Sequence, residues 1–174
     1  MSYVMVDVET DGEVPGDSSM IALGAVFVRP GLADTFRGFL SPVSSRWSEE
    51  ALKISGYTRQ ETMLFSQPGV TMREFEAWLR SHNVGEKIMF VSDNNGFDFM
   101  FVCWYSWHFR GHCLFGHSST NLGSLYKGLV RDTMKNFKHL RRTPLTHDPL
   151  DDARGNAEAL LTMRDELGLN IILE

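Results

Sequence analysis

Residues 3–9 run Tyr-Val-Met-Val-Asp-Val-Glu, and the fold turns on how this stretch is read. Val4, Val6 and Val8 alternate with Met5, Asp7 and Glu9, which is the two-residue period of a β-strand with two unlike faces. One face is aliphatic; the other ends in a pair of carboxylates. Residues two apart on a strand project from the same side, so the carboxylates of Asp7 and Glu9 converge. Two like charges so placed repel unless one takes a proton or a divalent cation is ligated between them. On its own the pair is equally compatible with a solvated strand end.

Outward from this strand, Gly12, Pro15, Gly16 and Asp17 supply turn chemistry. Apolar runs at residues 20–28 and 35–40 predict two more strands in an antiparallel meander. The period then becomes helical. Short helices are predicted over residues 48–54 and after Thr58, where Thr58 and Glu61 have capping-box spacing. Thr71 and Glu74 repeat that spacing and predict the start of a helix that carries Phe75, Trp78 and Leu79 on one side. Residues 87–92 read as a buried central strand. Residues 97–109 are hydrophobic nearly all round, which predicts a helix sandwiched in the core. Leu122, Leu125, Tyr126, Leu129 and Val130 have the spacing of an amphipathic helix. Asp148 as N-cap, Pro149, Asp151 in the capping-box position and Gly168 bound the last helix. Strands first and strand-helix alternation afterwards predict an α/β fold, a mixed central β-sheet flanked by α-helices, in a single domain over residues 1–174. Residues 135–142, followed by Pro144, are expected to form a mobile loop.

With 174 residues, 43% hydrophobic and 22% charged, the chain has the composition of a soluble globular domain and contains no run long enough to span a membrane. The N-terminus opens directly on a strand pattern, so a secretory leader is not expected and the cytoplasm is the default compartment. Cys103 and Cys113 form no disulfide framework and are expected to be buried thiols. A net charge of −5 argues against a protein that coats duplex DNA. Carboxylates that ligate cations would reconcile an acidic chain with a phosphate-bearing substrate.

Asp98 opens the most apolar helix, directly after the turn Asp93-Asn94-Asn95-Gly96. Its charge is costly there unless free backbone N–H groups, or a cation, satisfy it. His147 and Asp152 bracket the start of the last helix, so the imidazole lies over the first turn near the carboxylate. That suits a proton acceptor beside a metal; a lone histidine before an N-cap is otherwise a packing residue.

Taken together, these segments resemble the DEDDh 3′-to-5′ exonucleases, the family of polymerase proofreading subunits, ribonuclease T and oligoribonuclease. Asp7-Val8-Glu9-Thr10 is similar to the first motif of that family, Asn94-Asn95-Gly96-Phe97-Asp98 to the second, and His147 to Ala153 (HDPLDDA) to the third. The short length and residues 97–105 look more like the small stand-alone branch that includes T-even phage exonuclease A. One departure is Asp93, where many relatives have a histidine. The resemblance implies a ribonuclease H-like fold and a metal-dependent exonuclease that releases 5′-mononucleotides from the free 3′ end of single-stranded RNA or DNA, with RNA slightly favoured. It further implies two Mg²⁺ or Mn²⁺ ions held by Asp7, Glu9, Asp98 and Asp152, and His147 as general base. Several stand-alone relatives dimerise, so a homodimer is compatible with it.

For substrate contacts the resemblance points to Thr10, Gly12 and Asn94. Lys135, Lys138, Arg141 and Arg142 are candidates for phosphate contacts, or form a solvated basic face. Trp47, Tyr57 and Phe65 could stack on bases, but aromatic residues that flank short helices more often pack locally. Cys103, His108, His112, Cys113 and His117 contain possible zinc ligands, though their spacing matches no closed zinc module. Two other classes compete with a nuclease: a silent nuclease fold kept for binding, which the complete carboxylate set disfavours, and a zinc-stabilised interaction module.

Overall fold

The computed structural model describes residues 1–173. Its sheet has five strands in the order β3-β2-β1-β4-β5, with β1 at Ser2–Thr10, β2 at Met20–Phe27, β3 at Thr35–Phe39, β4 at Ile88–Ser92 and β5 at Ser119–Asn121. The first three strands form the expected antiparallel meander, whereas β4 runs parallel to β1 and β5 parallel to β4. Parallel pairing brings the C-terminal ends of β1 and β4 to the same edge, where crevices form in mixed and parallel sheets.

The alternation in β1 divides the molecule. Val4, Val6 and Val8 enter a core with Phe75, Leu79, Phe101 and Tyr105, from helices α3 (Pro68–His82) and α4 (Asn95–Arg110). Met5 enters the opposite core with Leu122 and Tyr126 of α5 (Leu122–Val130), and with Ala153, Ala157 and Leu160 of α6 (Pro149–Leu167). Asp7 and Glu9 continue the Met5 side and so lie on the α6 face. Two small helices, α1 (Glu49–Ser55) and α2 (Arg59–Thr62), follow β3; Ser48 caps the first, and a complete Thr58–Glu61 capping box starts the second.

Gly24 determines how close α6 comes. It pairs with Asp7 on one side and Arg37 on the other, and a Cβ there would collide with the backbone of Pro149 and Leu150. Bare backbone at this point lets the first turn of α6 rest directly on β2 beside Asp7. Arg37, in the same cross-strand row, bonds the N-cap Asp148 at 2.7 Å.

Several expectations are corrected. Thr71 does not open a helix: α3 begins at Pro68, whose missing N–H suits a first turn, and the Thr71 hydroxyl donates to the Phe39 carbonyl at 2.8 Å. Asp148 caps α6 through the Leu150 and Asp151 N–H groups, but Asp151 does not return the bond; the Asp148 N–H donates to Thr146 Oγ1. Helix α4 is not sandwiched on all sides, since Met100 and Trp107 are exposed. Within residues 135–142, Phe137 is buried in the α6-side core, Lys138–Leu140 form a 3₁₀ turn, and Arg141 bonds α6 partners. Strand β5 escaped the sequence reading, because Ser119–Asn121 is short, polar and half-buried.

Candidate active site

Three separate elements bring the carboxylates to one edge. Asp7 and Glu9 come from the end of β1, Asp98 from the first turn of α4 after β4, and Asp152 from the first turns of α6. Asp98 is 3% exposed and Asp152 2% exposed. Pairing between β1 and β2 shifts register just past the acidic pair, between Glu9 and Thr10, and resumes with Thr10 opposite Met20.

Asp152 organises the loop before its helix. Its Oδ1 accepts from Arg141 Nη2 at 2.9 Å and from the Thr146 N–H at 3.1 Å, and its Oδ2 accepts from the His147 N–H at 3.1 Å. Folding the loop back onto this carboxylate puts His147 in the left-handed region, at φ 59°. Such a conformation is uncommon outside glycine and persists only where the surroundings enforce it. The imidazole is exposed, yet ligand atoms of Glu9, His147 and Asp152 all lie within 4.8 Å of one another. Arg141 passes over Gly155, where a Cβ would meet its guanidinium.

The charges in this cluster lack sufficient counter-charge. Burial pushes the Asp7 carboxyl well above its ordinary range, and Asp98, Glu9 and Asp152 add to the rise while Arg141 opposes it. Glu9 is pushed up to about 8, chiefly by burial and then by Asp152 and Asp98. Asp98 is pushed up to about 7, again chiefly by burial. One of its oxygens, Oδ2, is buried without a hydrogen-bond partner. An orphaned carboxylate oxygen beside repelling acids is what a divalent cation with oxygen preference would satisfy, so the residues fit Mg²⁺ or Mn²⁺.

Glu9, at the edge of the cluster, lines a cleft of about 720 Å³ together with Thr10, Gly12, Trp47, Ile54 and Phe97 among others. The Thr10 hydroxyl donates to the Gly12 carbonyl at 2.7 Å, closing the turn at the cleft wall. Asn94 is exposed at the N-cap of α4 and is not among the lining residues. Arg142 is also elsewhere: it lines a second cavity of about 350 Å³ with Glu158 and Leu161. Its neighbour Arg141 is held by Asp152 and is not free to meet a phosphate. Tyr57 and Phe65 pack on each other and on Phe39, which leaves Trp47 as the one of the three aromatic candidates in the cleft. The zinc set does not assemble among the described residues. His108 stacks on Trp104, His112 faces Glu76, and the half-buried Cys103 and Cys113 thiols face each other at 3.1 Å. Asp11 and Arg59, an ion pair behind the cleft wall, carried no signal in the sequence beyond an acid in a turn.

No family model matches the chain. Over 175 residues, spanning 95% of this chain and 92% of the relative, it is 29% identical to the 3′-5′ DNA exonuclease Cap18 of Escherichia coli. The nuclease domain of 3′hExo, a DEDDh family member bound to rAMP, superposes with a TM-score of 0.77 at 15% identity, covering 99% of this chain and 96% of that one. The fold is that of a DEDDh exonuclease. The same ribonuclease H-like DEDDh architecture extends to S. pombe Pop2p in its Mg²⁺- and Mn²⁺-bound form, with a TM-score of 0.67 at 12% identity over 94% of this chain and 83% of that one. The similarity is therefore to 3′-to-5′ exonucleases, hydrolases of nucleic acid. Among the described residues no helix is long and apolar enough to cross a membrane.

Proposed function

We propose that this protein is a metal-dependent 3′-to-5′ exonuclease, a single catalytic domain that removes 5′-mononucleotides from single-stranded DNA or RNA. The observation that carries the reading is the convergence of Glu9, Asp152 and His147, with Asp7 and Asp98 close enough to repel the same acids, beside a cleft that Glu9 lines. Kinship with a DNA exonuclease supports DNA as substrate, and the rAMP held by a protein of the same fold supports RNA.

Asp7, Glu9, Asp98 and Asp152 would hold two Mg²⁺ or Mn²⁺ ions. When bound, such ions neutralise phosphate charge and make water acidic enough to attack at neutral pH. His147 accepts the proton of the attacking water; its exposure lets that proton pass on to solvent, and the Asp152 bond to its backbone fixes where the ring stands. Thr10 and Gly12 form the wall against the terminal nucleotide.

The test uses 5′-labelled single-stranded DNA and RNA with free 3′ hydroxyls, incubated with Mn²⁺, with Mg²⁺ and with EDTA. A ladder shortening from the 3′ end, with 5′-mononucleotides as product and no cleavage in EDTA, is expected. Internal cleavage, or full activity in EDTA, would overturn the reading.

A further inference from the structure

Beside the carboxylate cluster lies a second buried acid, which the proposed chemistry does not use. Asp11 follows β1 directly and its side chain is 0% exposed. Its Oδ1 accepts from the Ser19 N–H, and its Oδ2 pairs with Arg59 Nη1 at 2.6 Å. The other arm of the guanidinium, Nη2, donates to the Ser44 carbonyl at 2.6 Å, and the Arg59 Cζ lies 6.0 Å from the Trp47 ring centroid. The backbone of Asp11 is used as well: its carbonyl accepts from the Ser48 N–H at 2.7 Å. Ser19 Oγ in turn accepts from the Val43 and Ser44 N–H groups.

One ion pair thus joins four segments that are far apart in sequence: the end of β1, the start of β2, the loop from β3 to α1, and α2. Those segments present Thr10, Gly12, Trp47 and Ser48 to the cleft. A charge pair largely withdrawn from water is costly to desolvate, so it is a poor device for stability alone but a good one for fixing a single geometry. The two-armed guanidinium suits that task, since lysine has no second arm for the Ser44 carbonyl.

We infer that the Asp11–Arg59 pair is a positioning element that holds the Trp47 wall of the cleft at the width a single strand requires, and so sets affinity for the 3′ end without entering the reaction. The inference rests on the exonuclease reading. Neither residue touches the carboxylates or His147 in the bonds described, so loss of the pair loosens the wall and leaves the reacting groups in place.

The experiment compares wild type with Asp11→Asn, Arg59→Met and Arg59→Lys. It measures kcat and KM on a short single-stranded oligonucleotide in Mn²⁺, and Kd for a fluorescein-labelled oligonucleotide in Ca²⁺. It also records the ¹⁹F NMR signal of Trp47 in fluorotryptophan-labelled protein, assigned by Trp47→Phe, well below the melting temperature. Arg59→Met is expected to raise KM and Kd by about 10- to 100-fold, the scale of an ångström-size misplacement, with kcat within about threefold and a shifted or broadened Trp47 signal. Arg59→Lys should recover part of the loss. Asp11→Asn keeps the shape and the Ser19 bond, so it reports even if Arg59→Met does not fold. Folded variants with wild-type KM, Kd and Trp47 signal overturn the inference alone, as does a loss confined to kcat. A wild type that neither binds nor cleaves single strands overturns the exonuclease reading, and this inference with it.

Discussion

Two carboxylate centres of this molecule are buried to a similar degree and have opposite electrostatics. Glu76, on α3, is 5% exposed and faces Arg110 at 2.6 Å, with Arg80 and His112 also in contact; its carboxyl lies below the ordinary range, chiefly through the Arg110 hydrogen bond. Glu9, at 9% exposure, and Asp98, at 3%, are pushed up to about 8 and about 7. Solvent exposure alone does not separate them, although desolvation is the largest cause of the rise at Glu9 and Asp98 and the Arg110 hydrogen bond outweighs it at Glu76. Counter-charge adds to the difference: the Glu76 centre carries its own cations, while among the described residues Arg141 is the cation set against the rise at Asp7 and paired with Asp152. A centre that folds with its charge unbalanced is built to receive the balance from outside.

The strongest way to break this contrast is to neutralise one acid of the unbalanced centre. Asp7→Asn should abolish turnover, since a few kcal/mol of lost transition-state stabilisation is already about 10³-fold in rate. The same change removes repulsion, so its melting temperature in EDTA should equal or exceed that of wild type. Single-turnover assays on labelled single strands, paired with melts, check both halves. Near-wild-type hydrolysis by Asp7→Asn would remove the cluster from the chemistry.

Next in size is His147→Ala, with an expected loss of about 10² to 10⁴-fold, the usual worth of a positioned base. Oligonucleotide binding in Ca²⁺ should survive, because the carboxylates remain. A variant that keeps the wild-type rate would leave the exonuclease reading standing and remove the histidine from it.

Local chemistry explains what the sequence made legible. Alternation in residues 3–9 was enough to separate the two cores, since every second residue of a paired strand must face the same way, and Asp148-Pro149 with Gly168 fixed both ends of α6. The motif acids could be singled out because each ends or begins an element. Long-range contacts were invisible. Thr71 looked like a cap because nothing local reveals that its hydroxyl is spent on Phe39 thirty-two residues away. Arg141 and Arg142 looked interchangeable, yet the bare backbone of Gly155 makes room for the first against Asp152 while the second faces the other cavity. Gly24, which carries no charge or motif, decides how near α6 approaches Asp7.

A third, smaller effect sharpens the comparison through pH. Glu9 and Asp98 have folded values near 8 and near 7 against ordinary values of 4.5 and 3.8. The native state therefore binds more protons than the unfolded chain between about pH 4 and 8, and stability falls as pH rises through that window. In EDTA the melting temperature should drop by roughly 5 °C or more from pH 6 to pH 9, which at this size corresponds to about 1.3–2.5 kcal/mol or more. Mg²⁺ or Mn²⁺ replaces the protons, so the metal-induced gain should be larger at pH 9 than at pH 6. A flat profile in EDTA, or a greater metal effect on the acid side, would contradict the raised values.

The smallest expected effect belongs to the balanced centre. Glu76→Gln keeps the shape of the side chain but removes the charge that Arg80, Arg110 and His112 share. Hydrogen bonds to a charged group are worth about 1.5–3 kcal/mol each, and partial exposure of Arg80 and His112 reduces that, so the net cost should be about 1–2 kcal/mol. The sign is opposite to that of the β1–α4–α6 cluster. Because the Glu76 carboxyl is depressed when folded, its contribution is present above the unfolded value and is lost in acid, so the variant should differ most from wild type at neutral pH and converge with it toward pH 3. Metal should not change this difference, and turnover of single strands should stay at the wild-type level. Urea melts at pH 7 and pH 3.5, with and without Mn²⁺, measure it directly. A Glu76→Gln protein as stable as wild type at pH 7 would mean that local cations do not stabilise a buried acid here, and the inference from counter-charge to metal binding would lose its internal control.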